Sequence, residues 1–233
     1  EGGPRAMEKG SIYIRGRAGR DVLYIMNGLR LNPSFVRGAH NQYFGAIDPF
    51  AIDRLSAFRG PVSVYYGSDA LSGGVHVQTR MPAYSDTSQW QGAVTGQSNV
   101  GGNGELTFNG QLTRQTKNFT MSLNATGRDF SYYKMPGDSK ESLWFPYGNT
   151  LDNADYQFFA YDFNAKLRMD ERATIRAHSY YGTIPDAPRF DRMTLGYGIE
   201  QEPAQLTPRL AYFSNTAPLV ISRHSIDYEY LIN

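Results

Sequence analysis

Side chains able to do chemistry are sparse in this sequence and badly spaced for catalysis. The histidines are His40, His76, His178 and His224, and there is no cysteine, which excludes thiolate nucleophiles, thiolate metal sites and disulfides. No H-E-x-x-H, no G-x-S-x-G and no phosphate loop ending in G-K-S/T occurs. Ser, His and Asp are all present, but nothing in their spacing pairs them. Gly101-Gly102-Asn103-Gly104 lacks the dinucleotide spacing and reads as a hairpin turn. Asn118-Phe119-Thr120 fits a glycosylation sequon by chance, between two expected strands. His76 alternates with Val75 and Val77, so its ordinary reading is structural. His178 shares a strand face with Thr174 and Arg176, and the face of His224 is not fixed by its neighbours. His40 lies in the loop Arg37-Gly38-Ala39-His40-Asn41-Gln42, followed by Tyr43 and Phe44. Arg15, in Ile14-Arg15-Gly16, and Arg59, in Arg59-Gly60-Pro61, carry planar forks suited to bidentate contact with a carboxylate. The plainer reading of both is a solvated surface arginine. These residues favour recognition over catalysis.

The elements that position them begin with short segments. Residues 1–10 read as a loop, and Ser11–Arg17 as a short strand with Ile12 and Ile14 on one face. Asp21–Asn32 reads as two strands about Asn27-Gly28, a strong hairpin dipeptide. Pro33–Gly45 is a loop. Asp48 can cap a short helix over about Pro49–Arg54, with Pro49 at its first position and Ile47 packing on Ile52. Then comes the stretch around which the chain is organised, Leu55–Arg80. It predicts a strand ending at Gly60, a short helix with Val62, Tyr65 and Tyr66 on one face, and a close at the left-handed Gly67. Ser68 or Asp69 can cap a second turn. Gly73-Gly74 leads into the alternating strand Val75–Thr79.

The triplets Arg59-Gly60-Pro61, Tyr66-Gly67-Ser68 and Gly73-Gly74-Val75, in that order and spacing, resemble the plug domain of TonB-dependent outer-membrane receptors. Residues 11–80 are similar to the second half of that plug. The family usually has Asp where this chain has Asn27, an exchange that the turn tolerates.

Beyond the linker Met81–Ser88 the pattern changes to long alternating strands. Leu106, Phe108, Gly110 and Leu112 alternate with Thr107, Asn109, Gln111 and Thr113. Phe119, Met121, Leu123 and Ala125 alternate with Thr120, Ser122, Asn124 and Thr126. This is a sheet with one apolar and one wet face. Seven strands are expected, at about 90–98, 104–115, 118–128, 155–169, 172–182, 207–214 and 219–232. Short links at Gln115–Asn118, Asp170–Arg172 and Ser214–Pro218 alternate with long ones at Asp129–Ala154 and Thr183–Leu206, as in outer-membrane barrels. The link Asn99–Asn103 is short for the loop side. No run of 18 apolar residues exists, so no membrane helix is expected, and this leaves a strand-built membrane protein open. With 17 Tyr and 13 Phe the aromatic load suits interfacial girdles. The net charge of +1, with both signs dispersed, gives no basic stripe for nucleic acid.

The expected fold is therefore mainly β: a small α+β plug at 1–82, then the N-terminal third of a large antiparallel transmembrane barrel at 83–233. Resemblance to the family implies 22 strands in a complete protein, and a chain that starts at Glu1 and stops inside a strand at Asn233 reads as a fragment. It also implies the bacterial outer membrane, contact with membrane lipid, and energy from the TonB–ExbB–ExbD complex through a segment upstream. Arg15 and Arg59 match positions where the family locks plug to barrel through glutamates. The loop His40, Asn41, Tyr43 and Phe44 corresponds to an outward plug loop that meets ligand, with His40 as a candidate axial ligand of haem iron. Asp186-Ala187-Pro188-Arg189-Phe190-Asp191-Arg192 resembles an element of haem and haemoglobin receptors, which adds Arg189 and Phe190 to the candidate ligand site. The implied function is energised import of an iron-bearing ligand, haem or hemoprotein-derived iron, with a ferric-siderophore receptor as the alternative. A passive porin or adhesin needs no plug, and a soluble β-rich enzyme needs a constellation that the sequence does not present. No intrinsic cofactor is expected.

Overall fold

The computed structural model describes residues 12–17, 21–31, 45–61, 63–67, 70–99, 103–134, 150–151, 156–187 and 217–230. Strand β1 (Val22–Met26) is buried at every position, the mark of a strand covered on both faces. It turns through Asn27 (φ 47) and Gly28 (φ 84) into β2 (Leu29–Arg30). Two successive left-handed residues make the hairpin turn whose twist matches the strands, and Asn-Gly tolerates it best. Strand β3 (Ile52–Arg59) pairs antiparallel with β4 (Gly73–Thr79), and β4 runs parallel to β1. The sheet order is β2-β1-β4-β3.

Local structure departs from the sequence expectation in three places. Residues 12–17 form no extended strand: Ile14 and Arg17 bridge across a tight turn with Arg15 at φ 53 and Gly16 at φ 75. Arg15-Gly16 repeats the left-handed pair of Asn27-Gly28, so the chain reverses before a strand can lengthen. Ile14 is buried all the same, and Ile12 packs on the same core. The helix expected over 49–54 is one 3-10 turn, Pro49–Ala51, after which β3 begins at Ile52 paired with Thr79. The expected cap holds, with the Phe50 N–H donating to Asp48 Oδ1 at 3.0 Å, and Ile47 and Ile52 join one core. Helix α1 (Ser63–Tyr66) closes at Gly67 (φ 79), whose N–H donates to Ser63 O at 2.8 Å. No α1 residue is buried, and Tyr65 is open while Tyr66 lies against Phe58, so these tyrosines do not form one core face. Val62, Ser68 and Asp69 lie outside the described residues.

The larger sheet contains β5 (Gln89–Asn99), β6 (Asn103–Gln115), β7 (Phe119–Lys134), β8 (Thr150–Leu151), β9 (Tyr156–Arg168), β10 (Ala173–Ala187) and β11 (Ala217–Tyr230). Its order is β11-β10-β9-β7-β6-β5, with β8 pairing on the end of β7. Every pairing is antiparallel. The strand expected at 207–214 lies outside the described residues. Strand β11 pairs directly with β10 from Ala173↔Tyr230 to Ile184↔Leu219. It therefore runs opposite to the direction that seven successive strands would give it. The strand ends at Gln115, Phe119, Arg168 and Ala173 lie at one end of the sheet, and those at Lys134, Tyr156, Ala187 and Ala217 at the other.

The two faces follow the alternation. Leu106, Phe108, Leu112, Leu123, Phe159 and Leu167 are exposed, whereas Thr107, Asn109, Thr120, Ser122, Asn124, Thr126, Asp162 and Asn164 are buried. A wet face is buried here because the smaller sheet lies against it: one core joins Val22, Tyr24, Met26, Ala46, Ile47, Val75 and Val77 to Phe130, Phe158, Tyr180, Ile184 and Ile221. Among the described residues no helix is long and apolar enough to cross a membrane, which says nothing of strands.

Candidate functional site

Arg15 and Arg59 come together in space. Both are exposed, and both line an open cavity of about 520 Å³ with Ile12, Tyr13, Ile14, Ala57 and Val75. Gly60 (φ 115) lies under the Arg15 guanidinium: a Cβ there would sit 3.7 Å from Nη1. His40, Asn41, Tyr43, Phe44, Arg189 and Phe190 lie outside the described residues.

The remaining histidines are placed. His76 is half-buried in β4, and burial holds its imidazole below the usual histidine range. His178 faces the smaller sheet from β10, with Nε2 3.0 Å from Asp162 Oδ1 and both side chains buried. His224 lies on the opposite face of the sheet, each ring nitrogen 2.9 Å from a hydroxyl, of Ser179 and Ser222.

The densest polar geometry is the seam between the sheets, centred on Asp48. While Oδ1 caps the 3-10 turn, Oδ2 accepts from Asn124 Nδ2 and from Thr126 Oγ1, each at 2.6 Å. Asn109 Nδ2 braces both barrel partners, donating to Asn124 Oδ1 at 2.8 Å and Thr126 Oγ1 at 2.7 Å. The Asp48 N–H donates to the Tyr180 hydroxyl at 2.7 Å, and that hydroxyl donates to Ala46 O at 2.6 Å. Burial raises the Asp48 carboxyl above the usual range. The donors Thr126, Phe50 N–H and Asn124, with the field of Arg128, oppose that rise. Arg128 Nε in turn lies 3.7 Å from Glu105 Oε1.

The approach depends on a missing side chain. A Cβ on Gly182 would collide with Ala46 O and fall 2.8 Å from the Tyr180 hydroxyl. Glycine sits inside β10 at this point because another backbone comes in against it.

A second set of contacts lies at the end of β4. Asn27 Nδ2 donates to Thr79 Oγ1 at 2.7 Å, and Asn164 Nδ2, from β9, donates to the same oxygen at 3.0 Å. Asn164 also reaches Asp162 Oδ2 at 2.6 Å. Further along, Ser122 Oγ donates to Arg80 O at 2.6 Å, and Arg80 bonds Gln111 through their side chains.

The sequence marks Asp48 as a cap and puts Asn124 and Thr126 on the wet face, but does not join them. The available signal was the run of short amides and hydroxyls at every second position. Long charged side chains would suit an open channel, whereas short neutral ones suit a wall that another backbone touches. These groups can hold one sheet on the other and let go. Among the described residues no three His, Asp or Glu side chains gather as a metal set.

Residues 2–74 match the model of the TonB-dependent receptor plug domain. Over 77 residues the chain is 36% identical to the vitamin B12 transporter BtuB of Vibrio vulnificus strain YJ016, a match that takes in 33% of this chain and 12% of that protein. The structure superposes on the siderophore receptor PirA of Acinetobacter baumannii with a TM-score of 0.66 and 13% identity, over 97% of this chain and 32% of that one. For a mutant of the ferric enterobactin receptor PfeA of Pseudomonas aeruginosa the values are 0.61 and 11%, over 97% and 33%. For the FrpB iron transporter of Neisseria meningitidis (F3-3 variant) they are 0.57 and 14%, over 75% and 26%. At these identities the structural matches establish the fold. The chain spans about a third of the length of the first two of these solved structures.

Proposed function

Because the chain belongs to the TonB-dependent receptor family, outer-membrane receptors and transporters rather than enzymes, we propose that it forms plug and barrel strands of an energised importer. The cargo is a scarce metal chelate too bulky for a porin. One observation carries this reading: the four-stranded sheet is hydrogen-bonded into the wet face of the long-stranded one through Asp48, Asn124 and Thr126. A porin or adhesin has no use for a sheet that fills its lumen. Energy would come from the TonB–ExbB–ExbD complex, acting on a segment upstream of the described residues, with membrane lipid around the apolar face. The division into plug, 1–82, and barrel, 83–233, belongs to the same proposal.

A ferric siderophore is the favoured cargo, since PirA, PfeA and FrpB are named for siderophores or iron and BtuB for vitamin B12. Haem is the second reading, and it rests on His40 as an axial ligand with Tyr43, Phe44, Arg189 and Phe190 around it. Arg15 and Arg59, side by side at one cavity, are assigned the lock, paired with barrel carboxylates outside the described residues.

The full-length receptor separates these readings by direct titration. Ferric enterobactin and cyanocobalamin are followed by tryptophan quenching, and haem by its Soret band in wild type and in His40→Ala. Saturable quenching by a ferric chelate, with no Soret shift, is expected. A Soret shift that vanishes in His40→Ala would move the assignment to haem. Binding of none of the three would remove the chelate reading.

A further inference from the structure

Among the described residues, the hydrogen bonds that cross the seam are gathered at one end of the β3–β4 pair, while the apolar core runs on along the sheet. Ile52 pairs with Thr79 there, and the Arg80 N–H donates to Ala51 O at 3.1 Å, so the start of β3 and the end of β4 form one strip. From this strip, Ala46, Asp48, Phe50, Thr79, Arg80 and Ala83 all bond to barrel side chains. Tyr180, Asn124 and Asn164 hold it from three different strands, and Gly182 lets its backbone touch the wall.

At the other end of the same pair, Arg59 lies opposite Gly73. Seven residue steps at about 3.3 Å put this end about 23 Å from the strip. Helix α1 is attached here and buries no residue. Among the described residues, the cavity here, holding Arg15 and Arg59, is lined by the smaller sheet and its leading turn. The described hydrogen bonds of Gly60 and Gly67 stay within the plug, to Ser72 O at 3.0 Å and Ser63 O at 2.8 Å.

We propose that the strip 46–51 with 79–83 is a hinge, fixed to β6, β7, β9 and β10, about which the plug opens by displacement of its far end. Asp48 is the positioning residue of this hinge: one carboxylate shapes the turn that starts β3 and ties that turn to β7 through Asn124 and Thr126. A plug held in this way swings from one wall instead of leaving the lumen as a body. The inference does not depend on which ligand is carried.

The test is native-state hydrogen exchange on the full-length receptor in detergent, at urea concentrations below global unfolding. The amides of Asp48, Ala51 and Arg80 are expected to exchange only with global opening. Those of Gly60 and Gly67 are expected to exchange at least tenfold faster, through a smaller opening. Thr126→Val removes one donor to Asp48 Oδ2 without changing side-chain size. It is expected to speed Asp48 and Arg80 at least tenfold and leave Gly60 and Gly67 within twofold. Equal rates at both ends in wild type, or faster exchange at the strip, would overturn the hinge. So would a folded Thr126→Val whose strip amides keep their wild-type rates. Neither result bears on chelate binding, which the titrations above measure separately.

Discussion

Gly182→Ala adds one carbon at the point where the plug backbone meets the barrel. The new Cβ collides with Ala46 O and lies 2.8 Å from the Tyr180 hydroxyl. Neither partner can yield without loss: Ala46 O is backbone, and the hydroxyl is fixed by its bonds to Ala46 O at 2.6 Å and Asp48 N at 2.7 Å. Overpacking a close contact of this kind costs about 1–3 kcal/mol. Each of the two hydrogen bonds, if broken, adds about 0.5–1.5 kcal/mol. With both bonds broken, a destabilisation of about 2–6 kcal/mol follows, concentrated on the plug. The control is Gly110→Ala, also inside a barrel strand, where a Cβ meets nothing within 4 Å. A strand interior gains about 0.5–1 kcal/mol when glycine becomes alanine, so the control should be neutral or slightly stabilised. Urea unfolding of the full-length receptor gives the free energies, and limited proteolysis reports whether the plug is released first. A Gly182→Ala protein within about 0.5 kcal/mol of wild type, the range of an indifferent substitution, would refute the close approach and the seam built on it.

Two other expectations bear on the faces of the barrel and on the lock. Leu123 is on the exposed apolar face of β7, so Leu123→Arg should cost about 2–4 kcal/mol near the bilayer midplane. A cost below about 1 kcal/mol in the same unfolding assay would take that face out of the lipid core. Arg59→Ala should leave folding intact and raise the leak of small ions through the receptor in planar bilayers, and wild-type conductance in the mutant would exclude Arg59 from the gate.

Long-range alternation was the most legible feature of the chain. In β6 and β7 the wet-face residues Thr107, Asn109, Thr120, Ser122, Asn124 and Thr126 are buried, because period-two geometry turns them all to the side that the plug covers. Turn chemistry was legible where two residues in sequence demand left-handed backbone, as at Asn27-Gly28. The same rule was missed at Arg15-Gly16, since arginine gives no such signal. At Pro49 the sequence predicts a helix where one 3-10 turn forms, because a cap and a proline announce how a helix starts and not how long it runs. The order β10-β11 could not be read, as it depends on which strand crosses a long link to pair with which.

What sequence could least reveal is that one residue serves two levels of structure. As an N-cap, Asp48 is explained by its neighbours two residues away, and a local reading stops there. Its other oxygen finds partners 76 and 78 residues later in the chain. A buried carboxylate is costly unless its lone pairs are occupied, so the cap is sustainable only when Asn124 and Thr126 arrive. Local turn and domain docking are therefore one event: the turn that starts β3 is completed by the wall against which it folds. An uncharged cap such as serine would serve the turn alone. The carboxylate makes this turn depend on its wall, as the proposed hinge requires.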